Sequence, residues 1–240
     1  MIGFIGGSGF ENFLDEKTVK LFDTVTKWGT PSQALRKISL DGCEFMFMQR
    51  HGGGKILPHK INYQANISAL HELGVNKIIA SAAVGGINFQ TGKVIIPDQI
   101  IDYTYSRAQT FFENSDAVKH IEFSQPYNEQ LRIKLIKACE DLEIRAEERG
   151  VHAITQGPRL ETAAEIKRLQ NDGCDIVGMT GMPEACLAAE LDIKYACIAY
   201  IVNPAAGVDS EPISISDMQR EIKKGAETSF RIFKRFILND

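Results

Sequence analysis

An α/β fold, with a mixed sheet covered by helices, is the class that three features of the sequence predict. Short apolar runs alternate with stretches of helical period along the whole chain. Two of these runs, Phe45–Met48 and Tyr195–Val202, are continuous, as strands buried on both faces should be. Most runs end in turns of small residues, and ligands of α/β proteins gather outside strand ends. A length of 240 residues suits one domain over 1–240, large enough to bury a core without staples.

Composition narrows the function classes. The chain is 44% hydrophobic and 24% charged, with a net charge of −4 and no basic tract, so nucleic acid is not an expected partner. No apolar run reaches the length of a membrane span, and no basic region precedes the first apolar residues as in a signal peptide. Five cysteines, odd in number and without a CxxC pair, read as reduced thiols of a cytoplasmic protein. The histidines show no metal-ligand spacing, so no metal is expected.

The elements follow in order. Residues 2–10, IGFIGGSGF, read as a buried strand that breaks into a turn with Ser8 inside it; the spacing is not that of a dinucleotide fingerprint. Residues 19–49 suit hairpin strands with turns at Trp28-Gly29 and Asp41-Gly42, ending in the strand that delivers Arg50 and His51. Gly52, Gly53, Gly54 and Lys55 then form a loop that could cradle an anion, or simply a glycine turn with surface cations. Ile61, Ala65, Ile67, Leu70 and Leu73 recur at helical spacing, and Gly74 stops that helix. A strand over 75–83 ends in the Gly85-Gly86 turn, with Ser81, Ala82 and Ala83 offering further backbone donors. Val94–Pro97 is a strand that 98–103 continues. Residues 104–127 read as a long surface loop containing His120, and 128–145 as an amphipathic helix.

The second half repeats the alternation. Residues 150–156 form a strand, Gly157-Pro158-Arg159 a turn, and Thr162 with Glu165 the capping box of a helix that Gly173 ends. Asp175–Met179 is a strand, Thr180-Gly181 a turn, and Pro183-Glu184 opens a small-residue helix. The buried strand from Tyr195 stops at Asn203-Pro204, which leaves an amide at its end. Residues 216–238 form the last helix.

The segments GGSGF, RHGGGK followed by LPHKINYQANI, SAAVGGIN, DQIIDYT, QGPRLETAAEI, VGMTGMPEA and IVNPAAG, in this order, resemble the trimeric purine nucleoside phosphorylase and methylthioadenosine phosphorylase family over residues 2 to 235. The resemblance implies a central mixed sheet with a distorted barrel and assembly as a homotrimer, a hexamer being the larger alternative. It implies phosphate-dependent cleavage of a purine nucleoside to base and pentose 1-phosphate, with inorganic phosphate as co-substrate and no cofactor. By similarity Ser8, Arg50, His51, Ala82, Ala83 and Thr180 bind phosphate, and Met179 packs under the ribose. Asn203, Glu161 and His51 are the catalytic set, and Leu160 lies near the base.

Within the family, an aspartate in place of Asn203 suits a 6-aminopurine, whereas an asparagine can donate to a 6-keto oxygen and accept from the ring N–H. Ala205 stands where the adenosine branch carries a second aspartate, and Glu161 matches the glutamate that accepts from the pyrimidine ring. The base is therefore expected to be a 6-oxopurine. At the sugar end Ile213 and Ile215 occupy the neighbourhood of a hydroxyl-binding histidine, which suits a methylthio group. His120 matches a residue lent by the neighbouring subunit. Lys55 follows Gly54 where the methylthio branch commonly has a histidine. The expected substrate is S-methyl-5'-thioinosine, with inosine and guanosine, or methylthioadenosine, as alternatives. A silent nucleoside-binding protein is the alternative of another class.

Overall fold

The apolar run 195–202 has no charged interruption, and it forms the centre of the longest strand in the molecule. The computed structural model describes residues 1–11, 13–14, 17–113, 119–209 and 213–239. Residues 114–118 of the expected loop, and 211–212 before the last helix, lie outside the described residues. The strands are β1 (Ile2–Gly6), β2 (Thr18–Phe22), β3 (Leu35–Leu40), β4 (Cys43–Gln49), β5 (Lys77–Gly86), β6 (Val94–Ile95), β7 (Gln99–Asp102), β8 (Ala146–Glu147), β9 (Val151–Ile154), β10 (Ile176–Gly178) and β11 (Lys194–Pro204). The helices are α1 (Tyr63–Glu72), α2 (Glu129–Asp141), α3 (Ala163–Asn171), α4 (Gly181–Glu190) and α5 (Ile215–Asn239).

The strands join in one mixed sheet, with β5 as its branch point. β1 pairs in parallel with β4 and with the first half of β5, from Ile2↔Lys77 to Ile5↔Ala80. β10 pairs antiparallel with the last two residues of β5, and β11 runs parallel along its other side. Ser81 to Val84 therefore have a strand partner only towards β11 among the described residues. The opening left by the divergence of β1 and β10 is where strand-end ligands gather in such sheets.

Side chains alternate across β11 and β5, which explains why these strands read as unbroken apolar runs. Cys197, Ala199 and Ile201 face one core with Ile78, Ala80 and the inner sides of α1 and α4. Ala196, Ile198, Tyr200 and Val202 face the other with Ile79, α2 and α5. There Phe4 stacks on Phe233 with ring centroids 4.3 Å apart. The caps are local and match the sequence. Asn62 accepts from Ala65 N, Asn128 from Leu131 N, and Thr162 with Glu165 form the expected reciprocal box. Each such cap is worth about 1 kcal/mol.

Three expectations change. Residues 98–103 do not continue the preceding strand: β6 pairs with β11 and β8, whereas β7 pairs with β9 on the other arm. Pro97 has no N–H for a ladder, and the carbonyls of Ile96 and Pro97 instead accept from Arg132. β5 runs through Gly85-Gly86 instead of turning there, because the missing side chains let β10 close in: a Cβ on Gly85 would lie 3.1 Å from Val177. β11 keeps its expected end at Asn203-Pro204, reached through a register shift between Ile201 and Asn203. Finally, the segment between β7 and α2 is more than a surface loop, since Phe111 and Tyr127 are buried.

Candidate active site

The opening beside β5 is a cavity of about 220 Å³ that collects residues from seven segments. Ser8 comes from the turn after β1, and Arg50 and His51 follow β4. Ala82 and Ala83 lie on the stretch of β5 that is paired only towards β11; Leu160 and Glu161 follow β9. Met179 and Thr180 follow β10, and Asn203 and Ala205 stand at the end of β11. Ile213, Met218 and Ile222 add an apolar lining.

At the anion end, Arg50 is 1% exposed. Its Nε and Nη2 donate to the two carboxylate oxygens of Glu184 at 2.7 and 2.8 Å, and its Nη1 donates to Ser81 O at 3.0 Å. Tyr195 OH donates to the same carboxylate at 2.7 Å. The guanidinium is therefore held rigidly with its charge already balanced. Removing either partner of such a buried pair costs about 3–5 kcal/mol. Gly7 makes the approach possible: a Cβ there would sit 2.8 Å from Ser81 O and 3.1 Å from Arg50 Nη1. Thr180 also lines the cavity, just before α4, whose regular turns begin only after Met182, a residue with extended φ and ψ.

His51 Nδ1 lies 2.9 Å from Ile56 O. A carbonyl can only accept, so Nδ1 carries the proton and Nε2 keeps its lone pair. Burial, and then the charge of Arg50, hold its pKa below the ordinary histidine value. The ring is neutral at pH 7 and equipped to accept a hydrogen bond or a proton. Lys55 is exposed and does not line the cavity.

Asn203 is 8% exposed, and its Nδ2 donates to Pro204 O at 2.7 Å. That contact fixes the amide's orientation, leaving Oδ1 and a second N–H free for a ligand. Glu161 is held by the Thr155 hydroxyl, which donates to Oε1 at 2.6 Å. An amide and a carboxylate lining one cavity can match the edge of a 6-oxopurine, which offers a keto oxygen and ring N–H groups.

The sugar end differs from the expectation. Ile215 is 55% exposed and does not line the cavity, whereas Ile213 does. α5 starts at Ile215 and turns that side chain outward, and Met218 and Ile222 take its place. His120 is exposed and outside the cavity of its own chain. Sequence patterns did not reveal Glu184, Met218 or Ile222. Glu184 left only a weak signal, an acid in the first turn of an apolar helix.

Residues 1–238 match the family described as the phosphorylase superfamily. A relative from Pseudomonas syringae pv. tomato, named probable S-methyl-5'-thioinosine phosphorylase, is 45% identical over 92% of each chain. A 6-oxopurine nucleoside phosphorylase from Pyrococcus furiosus is 42% identical over 94% of this chain and 88% of its own. Methylthioadenosine phosphorylase from Schistosoma mansoni, solved with adenine, superposes with a TM-score of 0.93 at 28% identity, covering 99% of this chain and 91% of that one. With its motifs gathered around one cavity in the same fold, the chain belongs to the phosphorylase superfamily.

Proposed function

We propose that the protein is a pentosyltransferase that cleaves the N-glycosidic bond of a 6-oxopurine nucleoside with phosphate, and that S-methyl-5'-thioinosine is its preferred substrate. The products are hypoxanthine and 5-methylthioribose 1-phosphate, a step of purine salvage. The observation that carries this reading is that one cavity is lined by both Asn203 and Glu161 and by Ser8 and Arg50. The names of the relatives at 37–45% identity agree with it.

The chemistry follows from charge. As the bond from C1' to the purine breaks, positive charge grows on the sugar and negative charge on the base. Phosphate, held by Ser8, Arg50, the Ala82-Ala83 backbone and Thr180, attacks C1' from the side opposite the base. Asn203 accepts from the five-membered ring N–H through Oδ1 and donates to the 6-keto oxygen through Nδ2. Glu161 accepts from the pyrimidine-ring N–H. The proton that phosphate carried in ends on the leaving purine, so the exchange balances. His51, neutral with Nε2 free, relays that proton or accepts from a phosphate hydroxyl.

Met179 packs under the ribose and Leu160 beside the base. Ile213, Met218 and Ile222 form an apolar end that a methylthio group fills without leaving a hydroxyl unpaired. The His120 of one subunit completes this end in the next, within a homotrimer. All five cysteines are free, which suits the reducing cytoplasm.

Base release from methylthioinosine, methylthioadenosine, inosine and guanosine, each with and without phosphate, tests the proposal. Phosphate-dependent hypoxanthine release, fastest from methylthioinosine, is expected. Equal rates on inosine would remove the apolar sugar-end argument and favour a broad 6-oxopurine enzyme. Adenine release from methylthioadenosine at the highest rate would overturn the role of Asn203.

A further inference from the structure

Arg107 lies in the stretch between β7 and α2, outside the cavity lining and outside every motif of the sequence. A guanidinium has a fixed fork of N–H donors and no acceptor. Here each donor meets an oxygen. Nη1 donates to Met179 O at 2.9 Å and Met182 O at 2.6 Å. Nη2 donates to Gln156 O at 2.9 Å and Thr155 O at 3.3 Å, and Nε to Gln156 Oε1 at 3.1 Å. The face of Tyr63 lies beneath, 5.5 Å from Cζ. Nη1 also donates to Tyr63 OH at 3.3 Å. None of these hydrogen-bond acceptors is a carboxylate, so the fork spends its donors on main chain, amide and phenol, and its charge is not locked to an acid.

The carbonyls belong to two segments distant in sequence. Thr155 and Gln156 follow β9 and lead through Gly157 to Glu161, the base wall. Met179 and Met182 follow β10 and bracket Thr180, the sugar and phosphate wall. The two walls are close-packed behind the cavity, since a Cβ on Gly157 would lie 2.5 Å from Met179 Sδ. In a planar trans peptide the N–H points opposite the carbonyl. Gripping Met179 O from behind therefore aims the Thr180 N–H away from Arg107.

We infer that Arg107 is a positioning residue that locks the base wall to the sugar–phosphate wall, setting the distance between Glu161 and Thr180. Its kinetic consequence rests on the phosphorolysis reading; its structural consequence does not. Lysine cannot replace it, because a single ammonium has three donors and no planar fork.

The test uses the full chain with Arg107→Ala and Arg107→Lys. Hydrogen exchange is followed at 155–161 and 179–182, alongside thermal unfolding and steady-state kinetics for nucleoside and phosphate. In Arg107→Ala both segments lose protection together, although they are separated by a helix and a strand. kcat/KM falls by about 100-fold, the scale of an ångström-level misplacement, while the unfolding temperature moves little. Millimolar guanidinium ion added to Arg107→Ala restores protection and rate, whereas ammonium does not; Arg107→Lys stays close to Arg107→Ala. Loss of protection in only one segment, or in neither, overturns the inference, as does full activity in Arg107→Lys. If the wild-type chain shows no phosphate-dependent base release, the functional reading fails, and the exchange experiment still decides the role of Arg107.

Discussion

In the proposed reading Asn203 decides which purine edge the cavity accepts, with Pro204 O holding the orientation of its amide. Replacing it with aspartate removes the donor for a 6-keto oxygen and supplies an acceptor for a 6-amino group. The ratio of kcat/KM for methylthioadenosine over methylthioinosine should rise by about 10- to 100-fold in Asn203→Asp, the worth of one well-made or unpaired buried hydrogen bond. An unchanged ratio would exclude this residue from base recognition. Residues of this kind were legible in the sequence, because each sits in a short motif at a strand end. Ile213 and Ile215 show the limit. In an extended chain residues two apart share a face, so both could be expected at the sugar end. The helix begins at Ile215 and rotates it into solvent, leaving Ile213 at the cavity. Glu184 and Arg107 were illegible for a different reason. Their partners lie far along the chain, at Arg50 for the acid and at Gln156 and Met179 for the base, and no local pattern encodes such pairs.

The elements that carry the anion site meet at the turn after β1, and its glycine is tested most directly. Gly7→Ala would force a methyl group against Ser81 O and Arg50 Nη1, the atoms that join β5 to the guanidinium. Overpacking of this kind costs about 1–3 kcal/mol. It falls on the proposed phosphate side, because Asn203 and Glu161 stand on other segments. The KM for phosphate should therefore rise by roughly tenfold or more while the KM for nucleoside changes little. Equal effects on both substrates, or no effect on phosphate, would separate the turn from phosphate binding. At this scale the sequence was readable wherever structure is locally caused. The Thr162–Glu165 box, the Asn62 cap and the two-sided burial of β11 follow from residues within a few positions. The division of 94–103 between two arms was not readable, because Pro97 marks a break but says nothing of which strands lie on either side.

The whole molecule raises the question of who completes the sugar end. Among the described residues Ile213, Met218 and Ile222 bring no polar side chain to the cavity, and His120 is exposed and does not line it. If each subunit lends His120 to its neighbour, two defective chains should repair each other. His120→Ala keeps Asn203 and lacks the lent histidine; Asn203→Ala keeps the histidine and lacks the leaving-group amide. In a random, equimolar mixture each site combines its own Asn203 with the neighbour's His120. Half the sites have the intact amide, half of those have the intact neighbour, and roughly one site in four is whole in a closed ring of identical interfaces. Dissociation and reassembly of the two variants together should return about a quarter of the wild-type rate, measured as hypoxanthine release, while each variant reassembled alone stays at its own low level. The same mixture kept as preformed oligomers should gain nothing, which separates exchange of subunits from simple addition of two weak enzymes. If reassembly restores no activity, His120 serves its own chain or none, and the apolar cavity of a single subunit must account for the sugar end by itself.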